Sequence, residues 1–520
     1  MTYLARSRVH RAALLASSFA VTQLACTPAG HAAEREDTAI TIYSSAQPGA
    51  IPPELYRPIQ GMPMAGGRAV PGYAVVRHER PVTLSAGRSN VRFVDVAALI
   101  DPTTVQFTSL TDPTNTRVLE QNFQFDLVST QKLLMKYIDR PLTLERVVGN
   151  QVTTFSGTLL SAVDGLVLRG TDGQIYATRD FANIRFPDLP GGLITRPTLE
   201  WNIAAKRAGE HRARVAYQTS GITWWADYNL TFSEGADANS GLLDVGAWVS
   251  ILNQSGAGYA DAKLKLIAGD VQRAEPPGAG LAKRERVMLS AVAADEAAGF
   301  DEKAFFEFHL YTLGRRTTLP DNSTKQLELF DVAHRVPARK TLVYYGQGPI
   351  GYWYADPMVD RNFGVQSNKK VDVYLEFKNE EKVGLGIPLP SGRIRVSQAD
   401  NADGTLEFIG EDVIDHTPKD EKVLVKLGSA FDVVGERRQV DFSVNTSGKW
   451  MEEEIEVKLR NHKKEAVDVI VKENLYRWTN WQIKSSSHPY EKQDARTIHL
   501  PIKVEKDGEA VVRYRVRYSW

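Results

Sequence analysis

The chain has one cysteine in 520 residues, Cys26, and it lies in a leading segment that reads as removable. Beyond residue 33 the sequence can therefore form no disulfide, no thiolate metal site and no cysteine nucleophile. An excess of either charge is missing too, with 63 lysines and arginines against 63 aspartates and glutamates. That balance offers no basic face for counterion release, so no nucleic acid is expected as a partner. No apolar run after the N-terminus approaches the ~20 residues that span a bilayer, so the mature chain is expected to have no transmembrane helix. Also absent are a G-x-S-x-G nucleophile elbow, a G-x-x-x-x-G-K-[ST] phosphate loop and an H-E-x-x-H zinc helix. The histidines from His78 to His499 are scattered, and no cofactor and no metal are expected.

What is present begins with an address. Arg6, Arg8 and Arg11 precede an apolar stretch from Ala12 to Ala25, and the small residues Gly30, Ala32 and Ala33 follow. This is the three-part layout of a secretory signal over residues 1–33, and it implies a periplasmic or secreted protein. Cleavage would remove three arginines and no acid, turning the formal charge from 0 to −3. Leu24-Ala25-Cys26 supplies an alternative, a lipid anchor on Cys26 at the outer membrane, although Gln23 stands where such motifs usually carry leucine.

Short runs of β-branched and aromatic residues, broken by Pro, Gly, Asn and Asp, dominate the remainder. Ile40–Tyr43, Tyr73–Arg80, Thr198–Ala205, Trp224–Phe232 and Glu453–Leu459 are examples, and the clearest helical stretch is Ser129–Tyr137. Residues 140–190 stand apart, with five short strands and the hairpin steps Asp164-Gly165 and Asp172-Gly173, a pattern that suggests a small closed barrel of SH3-like or Sm-like type. The expected organisation is a β domain with a short helix over 34–139, the barrel over 140–190, a central β domain over 191–365 with a low-complexity insertion over 274–300, and a C-terminal β-sandwich over 366–520. The fold class is all-β, with several antiparallel sandwich-like domains.

Several stretches resemble a known bacterial family. They are Gly221-Ile222-Thr223-Trp224-Trp225-Ala226-Asp227-Tyr228, Asn253-Gln254-Ser255-Gly256, Ala268-Gly269-Asp270, His309-Leu310-Tyr311-Thr312-Leu313, Leu385-Gly386-Ile387-Pro388-Leu389-Pro390-Ser391-Gly392 and Ala430-Phe431-Asp432-Val433-Val434-Gly435-Glu436-Arg437. In this order they resemble the domain of unknown function 4139 family, whose relatives include mucoidy inhibitor A-like proteins, over about residues 70–520. Those relatives carry a long coiled coil ahead of the shared region. This chain has no heptad run there and resembles the shorter type. The resemblance implies a β-rich cell-envelope protein and brings no catalytic or ligand residues with it.

Candidate sites come from the residues themselves. Trp224, Ala226, Tyr228, Leu230 and Phe232 form one side of a strand, which leaves Trp225 beside Asp227 on the polar side as a platform for a sugar or a partner, or as a contact with a neighbouring domain. Tyr352, Trp353 and Tyr354 make a second aromatic cluster in an apparent loop. Glu307, His309 and Tyr311 alternate along a strand and would share a face, a ledge for a general acid or a solvated surface. Gly346-Gln347-Gly348-Pro349-Ile350-Gly351 fits G-x-G-x-x-G but lacks the helix that a dinucleotide needs. Asp400 to Gly404 reads as a hairpin turn, since the further calcium ligands are missing. At the end of the chain Val512, Tyr514, Val516 and Tyr518 alternate with arginines, as in a soluble sandwich strand or the last strand of an outer-membrane barrel. The functional expectation is a non-enzymatic binding or scaffold module whose partner is another envelope protein. The alternatives are a carbohydrate-binding protein or hydrolase using aromatic platforms, and an outer-membrane-associated β protein.

Overall fold

Alternation of apolar and polar side chains becomes strand through most of the chain: the computed structural model is 65% strand and 3% helix. It describes residues 36–43, 51, 53–56, 70–148, 151–269, 271, 300–347, 356–365, 367–400 and 402–520. The expected leader with Cys26, the insertion up to residue 299, the Gly348–Gly351 part of the glycine pattern, and Tyr352, Trp353 and Tyr354 lie outside the described residues. The fold is all-β and sandwich-like, with four sheets of eight, five, three and thirteen strands.

The expected strands extend outward to their turns. Thr198–Ala205 has the expected bounds, while Trp224–Phe232 grows to Ile222–Glu234. Left-handed backbone appears where the Asp-Gly steps require it, at Gly165 (φ 90°) and Gly173 (φ 84°). Asp400 also closes a hairpin, because its own carboxylate accepts from Ala402 N at 2.8 Å and its N–H donates to Thr405 O at 2.7 Å.

The unit over 140–190 has the five strands that the sequence suggests, but it is not a closed barrel. Its outer strands, Ile175–Thr178 and Asn183–Arg185, are not paired with each other. Closure is unnecessary because another element covers the apolar face. Tyr137, the C-cap of the helix Thr130–Lys136, is buried with Leu142, Leu144, Leu159 and Leu168, and its ring meets Phe186 edge-on at 4.9 Å. Burial of each such leucine contributes about 1.5–3 kcal/mol.

Two larger cores lie along the thirteen-stranded sheet. The first unites the eight- and three-stranded sheets with strands such as Ile222–Glu234 and Ser240–Asn253. The second is built by Trp450–Asn461, Val467–Asn474, Thr497–Val504 and Gly508–Ser519. Two long strands, Ser323–Tyr345 and Lys422–Asn445, serve both cores: Leu327 and Leu329 lie in the first and Leu342 and Tyr344 in the second. Bulges let them change neighbours. Arg335 takes φ 58° and donates its N–H to Asp244 Oδ1 at 2.9 Å, where the register with Ser240–Asn253 shifts.

The C-terminal strand is interior to its sheet, between Trp450–Asn461 and Trp481–Ser486. Val512, Tyr514, Val516 and Tyr518 face the second core, and the arginines on the other side pair with acids, Arg513 with Glu456 and Arg517 with Glu452. The apolar side of this strand is therefore filled by protein. Among the described residues no helix is long and apolar enough to cross a membrane.

Candidate functional site

Trp225 takes its orientation from its strand. With Trp224 and Ala226 buried inward, Trp225 stands on the outer side together with Asp227. Across the antiparallel ladder Trp225 faces Ser250, and Ser250 in turn faces Gln326. On the other side the strand Gly392–Ala399 runs parallel, bringing Arg393 opposite Asp227 and Arg395 opposite Asn229. Gly392 permits this approach: a Cβ there would lie 2.5 Å from the Ala226 carbonyl oxygen. The segment around Ile51 and Tyr56 packs over one end. Tyr56 lies 5.6 Å from the Trp225 ring, and Gln254 Nε2 holds the Leu55 carbonyl at 3.0 Å.

Together these residues enclose a cleft of about 250 Å³. Its floor is a fixed polar network. Asp227, 8% exposed, accepts from Trp225 Nε1 at 2.8 Å, Ser250 Oγ at 3.1 Å and Arg395 Nη1 at 3.4 Å. Gln326 donates to Ser250 Oγ at 3.1 Å. A carboxylate held by these three donors fixes the indole in place. Arg395 is shared with Glu411 at 3.6 Å, whereas half-buried Arg393 has no hydrogen-bond or ion-pair partner among the described residues.

The other expected residues are not gathered here. Glu307 lies in the turn of the hairpin Phe300–Phe305/Phe308–Leu313 and is exposed. His309 pairs with Glu302 across that hairpin, Nδ1 to Oε1 2.6 Å. Tyr311 lies two residues on from His309 in the same strand but is buried rather than part of a surface ledge: it is 1% exposed, edge-on to Trp224, and its hydroxyl donates to the Pro388 carbonyl at 2.8 Å. Burial holds its hydroxyl pKa well above the usual range. The two-residue turn Phe306-Glu307, with Phe306 at φ 59°, joins the strands of the hairpin, so Glu307 lies in the turn and His309 in the strand that follows. No group of three or more potential metal ligands occurs among the described residues.

Sequence reasoning placed Asp227 beside Trp225 but missed Tyr56, Ser250, Gln326, Arg393 and Arg395. Gly392 closes one of the family-like motifs, yet nothing local says that its strand pairs with one some 165 residues earlier. Comparison of the chain with protein-family models, with curated proteins and with solved structures finds no match in any of the three.

Proposed function

We propose that the protein is an exported, non-enzymatic binding module of the cell envelope, and that it holds its partner in the cleft at Trp225. The observation carrying this reading is the locked aromatic platform: an indole fixed by Asp227 on a floor of four strands, open to a space of about 250 Å³. Rigid aromatic surface ringed by polar side chains suits recognition, since little side-chain freedom is lost on binding. The leader-like segment and the resemblance to an envelope family support the address.

The strands that carry Trp225, Ser250 and Arg393 have both edges paired, so over them a partner is read by side chains. A photo-crosslinking residue at exposed Thr324, on the rim, tests this in cells that export the protein. Reproducible adducts are expected from Thr324 and not from a control at Val163, which is 94% exposed on the small unit. Equal labelling at both positions would overturn the reading. Mass measurement of the exported chain separates cleavage near Ala32 or Ala33 from a lipid on Cys26.

A further inference from the structure

The cleft carries a charge that the fold does not use. Asp227 is neutralised by Arg395, which also leans toward Glu411, and the remaining cation is Arg393. A half-buried guanidinium without a partner is a standing demand for an anion, and its planar fork matches a carboxylate in two parallel hydrogen bonds. One arginine, with a carboxylate as its cleft neighbour, fits a single negative charge better than a phosphate.

The rest of the lining describes what that charge is attached to. Trp225 offers a flat apolar face, and Thr324 and Gln326 present a hydroxyl and an amide from one rim. The strands that carry Trp225, Ser250 and Arg393 are paired on both edges, so beside the indole no backbone edge is open to an extended peptide. A pyranose ring meets these conditions: its C–H face covers an indole, its hydroxyls satisfy short polar side chains, and one ring suits a space of about 250 Å³.

We propose that the cleft binds a carboxylate-bearing saccharide unit, with the ring face on Trp225 and the carboxylate on Arg393. This rests on the reading of the cleft as the binding site and names the class of its ligand. Asp227 and Ser250 act as positioning residues that hold the indole, and Arg393 sets the preference for acidic over neutral sugar.

The test uses the full exported chain and tetrasaccharides of glucuronate and galacturonate, each paired with its neutral glucose or galactose counterpart, titrated by calorimetry at low and moderate salt. At least one acidic tetrasaccharide is expected to bind tenfold or more tighter than its neutral partner, with the margin shrinking as salt rises. Arg393→Gln removes a side chain with no internal partner; it should abolish the margin, so that acidic and neutral tetrasaccharides bind alike, while thermal stability is unchanged. Trp225→Phe should weaken both members of a pair, and circular dichroism checks that each variant is folded. Equal binding of acidic and neutral sugars, or a margin that survives Arg393→Gln, overturns the role given to Arg393. Failure of every tetrasaccharide overturns the saccharide assignment; the cleft itself then stands or falls by the Thr324 crosslinks, which do not depend on ligand class.

Discussion

Asn253 and Asn461 occupy the same corner in the two cores. Each ends a strand of the thirteen-stranded sheet where the chain crosses its core, to Tyr259–Ala268 of the eight-stranded sheet after Asn253 and to Val467–Asn474, a branch of the same sheet, after Asn461, and each is 1% exposed. Asn253 Nδ2 donates to the carbonyl of Ala257, four residues on, and to Leu319 and Pro320; Asn461 Nδ2 donates to Glu465, again four residues on, and to Val504 and Glu505. Both side-chain oxygens accept from the backbone two residues later, at Ser255 and Lys463. The turns they hold also match, with Asn322 at φ 50° and Asp507 at φ 47° before the returning strand. A crossing of the core leaves buried carbonyls without ladder partners, and an asparagine amide supplies the missing donors.

Beyond the corner the cores differ. Around Asn253 the polar neighbours are hydroxyls: Ser255 donates to Asn253 Oδ1 at 2.8 Å and lies 3.1 Å from the Tyr259 hydroxyl, and burial pushes the pKa of Tyr259 up to about 12. The second core buries two ion pairs instead, Arg437 with Glu473 at 3.0 Å and Arg477 with Glu453 at 2.8 Å. Tyr514 donates to Glu473 and Tyr518 to Glu453. The arginines also reach outward. Arg477 donates to the carbonyls of Met358, Asp360 and Phe363, and Arg437 N donates to Ser367 Oγ. The difference teaches that a shared corner satisfies the backbone, while the ionic groups serve a task of one core only, fastening a segment without regular strand onto it.

The largest effect should come from that asymmetry. Arg477→Met strands Glu453 as a buried charge and removes a donor from four carbonyls, those of Met358, Asp360, Arg361 and Phe363, so a loss of about 3–5 kcal/mol is expected in urea unfolding, with protease cleavage appearing within residues 356–365. A loss below ~1 kcal/mol would show that the arginine does not hold the segment. The corners should respond alike: Asn253→Ala and Asn461→Ala are each expected to cost about 2–3 kcal/mol, and the double variant to be additive within ~0.5 kcal/mol, because the sites share no partners. A marked inequality would break the equivalence of the two crossings.

Acid should produce the smallest and most discriminating change. His78 lies between Thr38 Oγ1 at 3.1 Å and the Tyr217 hydroxyl at 3.2 Å, and burial lowers its pKa against the opposing pull of Glu36. His499, between the core residues Ile498 and Leu500 of the second core but not itself in it, is lowered for the same reason, aided by Lys472. A histidine depressed in the fold binds more protons when unfolded, so its contribution is full above about pH 6.5 and falls as pH drops below that value. Glu36, held below the usual carboxylate range by its hydrogen bond to His78, loses its share only lower, below its ordinary value near 4.5. Unfolding measured from pH 7.5 to 5 should show both cores weakening. His78→Gln should flatten the response of the first core and leave that of the second.

Much of this was legible before any tertiary contact. The alternation of Trp224 through Phe232 gives the inward face correctly, and with it the outward Trp225, because a strand's period is two whatever its neighbours. Ser129 caps the helix it was expected to begin, donated to by Lys132 N at 3.3 Å. Less was visible in the long strands. In Lys422–Asn445 the alternation is plain only over Glu421–Leu427 and Val440–Val444, and Gly428, at φ 144°, ends the first of these runs. The alternation that joined Glu307 to His309 and Tyr311 starts one residue too early, since Glu307 belongs to the turn.

The amino-acid sequence by itself determined which segments are strands, which side of each is apolar and where the tight hairpins fall, since these depend on side-chain alternation and local φ preferences. The tertiary structure alone decided which strands became neighbours. Parallel pairing of Ile222–Glu234 with Gly392–Ala399 assembles the cleft, and Tyr137 rather than barrel closure covers the small sheet. Those choices belong to packing over long sequence separations, where many pairings satisfy the same local pattern and only the filled core selects one.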